Sequence, residues 1–197
     1  MSDLFGLLFS TALVNNLVLT YLVGLDLQVA ASQRMNVAWL VGIATTYCLA
    51  LCLPGVYLID QLIIIPFSLH FLDLLFYVLL IVIIVYASQN LVHRLFPRTH
   101  QQIDAMAPVI LMNSILLAVI LLSQNQDQSF FGAMLYGVCT GTGFLFLLLV
   151  LTSLRERIEN QDVPAPFRGL PILLITLAVF SMGLMGLMGL MGLAGLQ

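Results

Sequence analysis

The segment LHFLDLLFYVLLIVIIVYASQNLV, residues 69–92, runs directly into His93-Arg94-Leu95-Phe96-Pro97-Arg98-Thr99-His100. A helix that crosses the hydrocarbon of a bilayer needs about 20 mostly apolar residues, and residues 74–87 carry no charged or amide side chain. The polar segment behind them holds two arginines. An apolar span followed by an arginine-bearing loop sets the fold class, and the rest of the chain repeats the pattern.

Five further stretches qualify as spans, at about 4–25, 36–59, 104–123, 130–154 and 169–195. Polar or turn residues separate them: Gln33-Arg34, Asp60 with Pro66, Gln124 to Ser129, and a long break from Arg155 to Gly169. Of the 197 residues, 61% are hydrophobic and 8% charged, with a mean hydropathy of +1.11. No water-soluble fold of this size buries so much apolar surface. Nucleic-acid binding, a secreted disulfide scaffold and an ordinary cytosolic enzyme are excluded on the same ground. The expectation is an all-α integral membrane protein of six transmembrane helices. The first stretch lacks the basic n-region and small-residue cleavage site of a signal peptide and reads as a retained span.

All six basic residues are arginines, at 34, 94, 98, 155, 157 and 168. They fall after spans one, three and five, and none falls on the other side. The positive-inside rule makes the odd loops cytoplasmic, so both termini are expected on the periplasmic face of a bacterial inner membrane, with Asp3, Asp60 and Asp127 marking that face.

The two halves of the chain match weakly. Leu13-Val14-Asn15-Asn16-Leu17 resembles Leu111-Met112-Asn113-Ser114-Ile115, and Val41-Gly42-Ile43-Ala44-Thr45 resembles Tyr136-Gly137-Val138-Cys139-Thr140, at offsets of 98 (111−13) and 95 (136−41). Three spans per half would make the second half enter the membrane in the opposite sense. A single membrane domain over 1–197 then divides into inverted repeats, about 1–100 and about 101–197, with spans one and four interrupted and the site near the midplane. The competing explanation is that small residues recur in membrane helices because they pack closely.

Asn15, Asn16 and Asn113 lie well inside their spans, where an unpaired amide is costly, so they face protein. They either line the axis between the repeats and bond an interrupted backbone, or make ordinary interhelical hydrogen bonds of roughly 0.6–2 kcal/mol. Asp26 follows Gly24-Leu25; at the interface it is unremarkable, but deeper it would cost about 2.5–3.5 kcal/mol. Cys48 and Cys52 share a helix face, yet with no further ligand in view they read, like Cys139, as small hydrophobes, and no metal site is expected. The three histidines lie on both sides of the membrane. No phosphate loop, nucleophile elbow or metalloprotease motif is present, so the chain has no catalytic constellation of its own. In the tail, Gly183, Gly186, Gly189, Gly192 and Gly195 step by three and therefore wind around the helix, which argues against one flat dimerisation seam.

The cytoplasmic stretch Leu154-Arg155-Glu156-Arg157-Ile158, continued by Asp162-Val163-Pro164-Ala165-Pro166-Phe167-Arg168-Gly169, is the most diagnostic part of the chain. With VNNLVL in span one, GIATT in span two and Tyr136-Gly137 in span five, it resembles the A-type membrane family of the Rnf electron-transport complex. The E-type component of sodium-translocating NADH:quinone oxidoreductase is similar. The resemblance covers essentially the whole chain. It implies a subunit, not catalytic alone, of a complex that couples electron transfer from ferredoxin or NADH to Na+ or H+ translocation. The implied partners are a homologous subunit in inverted orientation, other subunits carrying flavin and iron–sulfur centres, and the bilayer.

The same resemblance implies an intramembrane [2Fe-2S] cluster shared with the partner, held by a Cys in a Gly-Leu-Cys-Pro turn and a Cys in an Asn-Cys pair. Here the matching positions are Asp26, followed by Leu27, and Ser114. Clusters are held by thiolates, so the expectation is a subunit whose cluster site is lost or altered. The alternative is a divergent paralogue that keeps the scaffold as a structural or ion-conducting module without a redox role.

Overall fold

The computed structural model describes residues 23–32, 35–67, 70–95, 113–124, 129–159, 161–162 and 164–193. Among the described residues all regular structure is helical. In chain order these are α1 (Leu25–Ala31), α2 (Met35–Ile59), α3 (Asp73–Leu95), α4 (Ser114–Ser123), α5 (Phe130–Glu159) and α6 (Leu170–Leu193). Short 3-10 turns lie at His70–Leu72 and Ala165–Phe167.

The bilayer as solvent explains why these segments are helical: with no water to bond to, a backbone must satisfy its own polar groups. α2 and its continuation reach from Met35 to Phe67, and α5 is also long and apolar enough to cross. Apolar residues cover α2 all round. Trp39, Ile43, Tyr47 and Leu51 form an exposed stripe, while Val41, Thr45, Cys48, Leu49 and Cys52 are buried behind it. A soluble helix would put polar residues on the exposed face. α3 and α6 expose apolar faces as well, including Leu74, Val78, Ile83, Leu174 and Val179, as chains facing hydrocarbon or another membrane protein do.

α2 and α5 form the spine. Gly137 and Gly141, one turn apart on α5, leave no room for side chains: a Cβ on Gly137 would lie 2.6 Å from the Leu49 carbonyl oxygen, and one on Gly141 would lie 2.6 Å from Thr46 Cα. On α2, a Cβ at Gly42 would collide with Leu145. Close backbone approach through small residues is how membrane helices gain packing energy where no hydrophobic drive between helices exists.

Two boundaries depart from the sequence-based expectation. The apolar pattern ends span one near residue 25 with a loop beyond it, but residues 25–31 form a buried helix, with Leu27, Gln28, Ala31 and Ser32 inside the protein. Span two does not end at Asp60. It passes through a π-helical turn, Asp60–Ile64, into a last turn at Ile65–Phe67. There Asp60 accepts hydrogen bonds from Tyr77 (2.9 Å) on α3 and Gln124 (2.8 Å) at the end of α4, which ties three elements together at one end of the bundle. A carboxylate with two side-chain donors is compatible with a helix that continues, and the polar residue alone does not signal this.

Candidate functional site

The two short helices mark the site. Gly24 stands at the start of α1 with φ 80°, ψ 8°, a left-handed conformation suited to glycine. Asn113 stands at the start of α4 in extended conformation, inside an apolar run, and its Oδ1 accepts the Ile115 N–H at 3.1 Å. That is an N-cap in which the side chain satisfies one of the free donors of a helix start. Both helices therefore begin inside apolar sequence.

The two starts touch. The Gly24 N–H donates to Ser114 Oγ at 2.9 Å, so α1 and α4 meet N-terminus to N-terminus and run in opposite senses. α4 has 10 residues, about 15 Å at the helical rise, between this contact and the Asp60 end. Half of a hydrocarbon core of about 30 Å is the same distance. α1 runs the other way to Ser32, where Arg155 of α5 donates to the Val29 carbonyl (3.2 Å) and to Ser32 Oγ (3.0 Å). A cation at a helix C-terminus is electrostatically favourable, and α1 is thereby held at both ends.

Facing helix N-termini concentrate the positive ends of two backbone dipoles, so the junction favours negative charge. Asp26 is the second residue of α1 and thus belongs to the first turn, where a carboxylate is best tolerated. Ser114 touches the Gly24 backbone two residues before Asp26. Asn113 is buried and caps α4, while Asn15 and Asn16 lie outside the described residues.

Sequence reading does not single out Gln28, and it takes Thr45 only as part of the GIATT motif, not as a buried polar group. Both are fully buried, and among the described residues neither the Gln28 amide atoms nor Thr45 Oγ1 finds a hydrogen-bond partner, nor does Asn113 Nδ2. Gln28 lies one turn beyond Gly24, its N–H bonded to the Gly24 carbonyl. The available signal is its i+4 spacing from the glycine, hidden because the segment reads as a loop.

The residues present do not fit a thiolate-held cluster. Iron–sulfur ligation needs cysteine, and the hydroxyl at the second family position is engaged with the Gly24 backbone. The described cysteines, Cys48 and Cys52 on α2 and Cys139 on α5, are buried free thiols away from both helix starts in the chain. Among the described residues no three His, Cys, Asp or Glu side chains group as a metal site.

Ser114→Ala should destabilise the protein by about 1–3 kcal/mol, the cost of leaving a buried N–H without a partner. The thermal midpoint in detergent checks this, with Ser114→Thr expected to restore most of the loss. An unchanged midpoint for the alanine variant would mean that the contact carries no stability.

Fold and site define a class of integral membrane protein, in which two short helices meet head to head beside long apolar helices. Comparison with known sequences gives the family. A family model described as "Rnf-Nqr subunit, membrane protein" matches residues 4–193, and the chain belongs to that family. It is 34% identical to the A component of the ion-translocating oxidoreductase complex of Psychromonas ingrahamii, covering 92% of this chain and 95% of the relative. The corresponding component from Vibrio cholerae serotype O1 is 34% identical over 92% of this chain and 94% of its own. That of Actinobacillus pleuropneumoniae serotype 5b is 35% identical with the same coverage.

Proposed function

We propose that this chain is the A-type membrane component of an ion-translocating oxidoreductase complex, and that its midplane junction is closed by Ser114 and Gly24 in place of an iron ligand. The observation that carries this reading is the hydrogen bond between the two helix starts. One of its partners, Ser114, stands at a position where the family resemblance puts a redox ligand, and the other, Gly24, lies two residues before the second such position, Asp26. Ser114 belongs to an exposed part of the isolated chain, although it lies near the membrane centre. A polar group there is costly against lipid, which supports a second membrane protein of the complex covering this face in inverted orientation. The head-to-head arrangement of α1 and α4 supports a division into two inverted repeats.

The six arginines support a cytoplasmic side at the α1 C-terminus and the α5–α6 connection, in a bacterial inner membrane with both termini periplasmic. In this reading the chain contributes the membrane path and its partners contribute flavin and iron–sulfur chemistry. Asp26, the second residue of α1, puts an acidic residue in the first helical turn, where the family pattern has a cysteine.

The test is to extract the tagged chain from its native membrane in a mild detergent and identify what accompanies it. Stoichiometric membrane partners with flavin-carrying and iron–sulfur subunits are expected. A chain that emerges alone and conducts ions in liposomes would replace this reading with that of a divergent, non-redox module.

A further inference from the structure

At the arginine-bearing end, residues of α5, α6 and the segment joining them line a cavity of about 430 Å³. Leu151, Leu154, Arg155 and Ile158 form one face of α5, Ile172, Leu173 and Thr176 form the facing side of α6, and Gly169 lines the cavity from the turn before α6. The α5 set follows the i, i+3, i+4, i+7 spacing of a single helix face, and the three α6 residues follow i, i+1, i+4 on one side of theirs. The connecting segment closes the end with Gln161, Asp162 and Arg168. The volume lies in the range of small-ligand sites, about 300–1,000 Å³.

The lining is ordered along the membrane normal. Arg155, Asp162 and Arg168 sit at the loop end, whereas Leu151 lies one turn deeper on α5 and Leu173 is buried on α6. Charged groups above an aliphatic floor match the order of headgroup, glycerol and acyl chain in a phospholipid. A soluble anion would use only the upper part. Two guanidinium groups suit a phosphodiester, which arginine binds through paired N–H donors, and the carboxylate of Asp162 suits an ammonium.

We infer that this cavity binds one membrane phospholipid, with its phosphate at Arg155 and Arg168 and an amino headgroup at Asp162, which selects phosphatidylethanolamine over phosphatidylglycerol. Because Arg155 also holds the end of α1, the lipid would sit against the residue that anchors that helix. The inference needs membrane insertion but not the redox reading proposed above.

The experiment uses the protein as extracted from its membrane, with any subunits that accompany it, stripped of lipid by detergent and then supplied with one of three probes: dioleoyl phosphatidylethanolamine, dioleoyl phosphatidylglycerol, or water-soluble glycerophosphoethanolamine. Retained lipid is counted by native mass spectrometry, and the thermal midpoint is followed in parallel. One phosphatidylethanolamine per chain is expected, with a raised midpoint and no response to the soluble headgroup at equal concentration. Arg168→Gln should weaken binding about tenfold, the scale of one lost charge-assisted hydrogen bond. Asp162→Asn should abolish the preference over phosphatidylglycerol. Equal binding of both lipids by the unaltered chain overturns the headgroup assignment. Equal binding of glycerophosphoethanolamine makes this a soluble-anion site. Retention unaffected by Arg168→Gln, or a segment of another protein of the complex filling the cavity in a density map, overturns the lipid altogether.

Discussion

Gly141→Ala is expected to destabilise the protein by about 3 kcal/mol, the upper part of the usual range for overpacking, and to lower its level in the membrane sharply. The added methyl would lie 2.6 Å from Thr46 Cα, 2.8 Å from its Cγ2 and 2.9 Å from its Cβ. The nearest of these atoms is backbone and Cβ is fixed to it, so no side-chain rotation relieves the contact. α2 and α5 must move apart along the spine that positions everything else, and Leu147 and Leu148, fully buried on α5, lose packing with them. Gly183→Ala is the matched control. A Cβ there meets nothing within 4 Å, and replacing a helical glycine favours the helix by up to about 1 kcal/mol. Thermal midpoints in one detergent separate the two. Equal midpoints would mean that the spine is not packed through its glycines.

Gly24→Val should be comparably severe for a different reason. A left-handed backbone costs an L-residue about 1–2 kcal/mol, and a β-branched side chain fits it worst. Its Cβ would also stand 3.2 Å from Ile115 Cβ and 3.4 Å from Phe144 Cε2, adding an overpacking cost of about 1–3 kcal/mol. The break would shift and the Gly24 N–H would leave Ser114. Loss of the accompanying subunits during purification is expected together with a lowered midpoint. A valine variant with unchanged midpoint and composition would show that the chain does not turn at residue 24 as described.

The membrane class is legible because composition alone forbids a soluble core, and α3, α5 and α6 begin within a few residues of the expected spans. Asp26, Ser114 and Asn113 are legible as positions, through the turn-like Gly24-Leu25 and the polar pair inside an apolar run. The buried helix α1 is not. Its seven residues hold one charge and one amide, and hydropathy reads such a segment as a loop; its burial depends on Arg155, 123 positions from Ser32. Gln28 and Thr45 stay hidden for the same reason, since burial without a hydrogen-bond partner is a property of packing. The continuation of α2 through Asp60 likewise depends on Tyr77 and Gln124, which only the fold brings near.

The most direct measurement is electron paramagnetic resonance of the reduced complex, compared between the unaltered chain and the double variant Asp26→Ala, Ser114→Ala in preparations of equal subunit composition. If Ser114 closes the junction in place of an iron ligand, the two spectra and the iron contents are the same, every signal arising from other subunits. A rhombic signal present with the unaltered chain and lost with the double variant would contradict it.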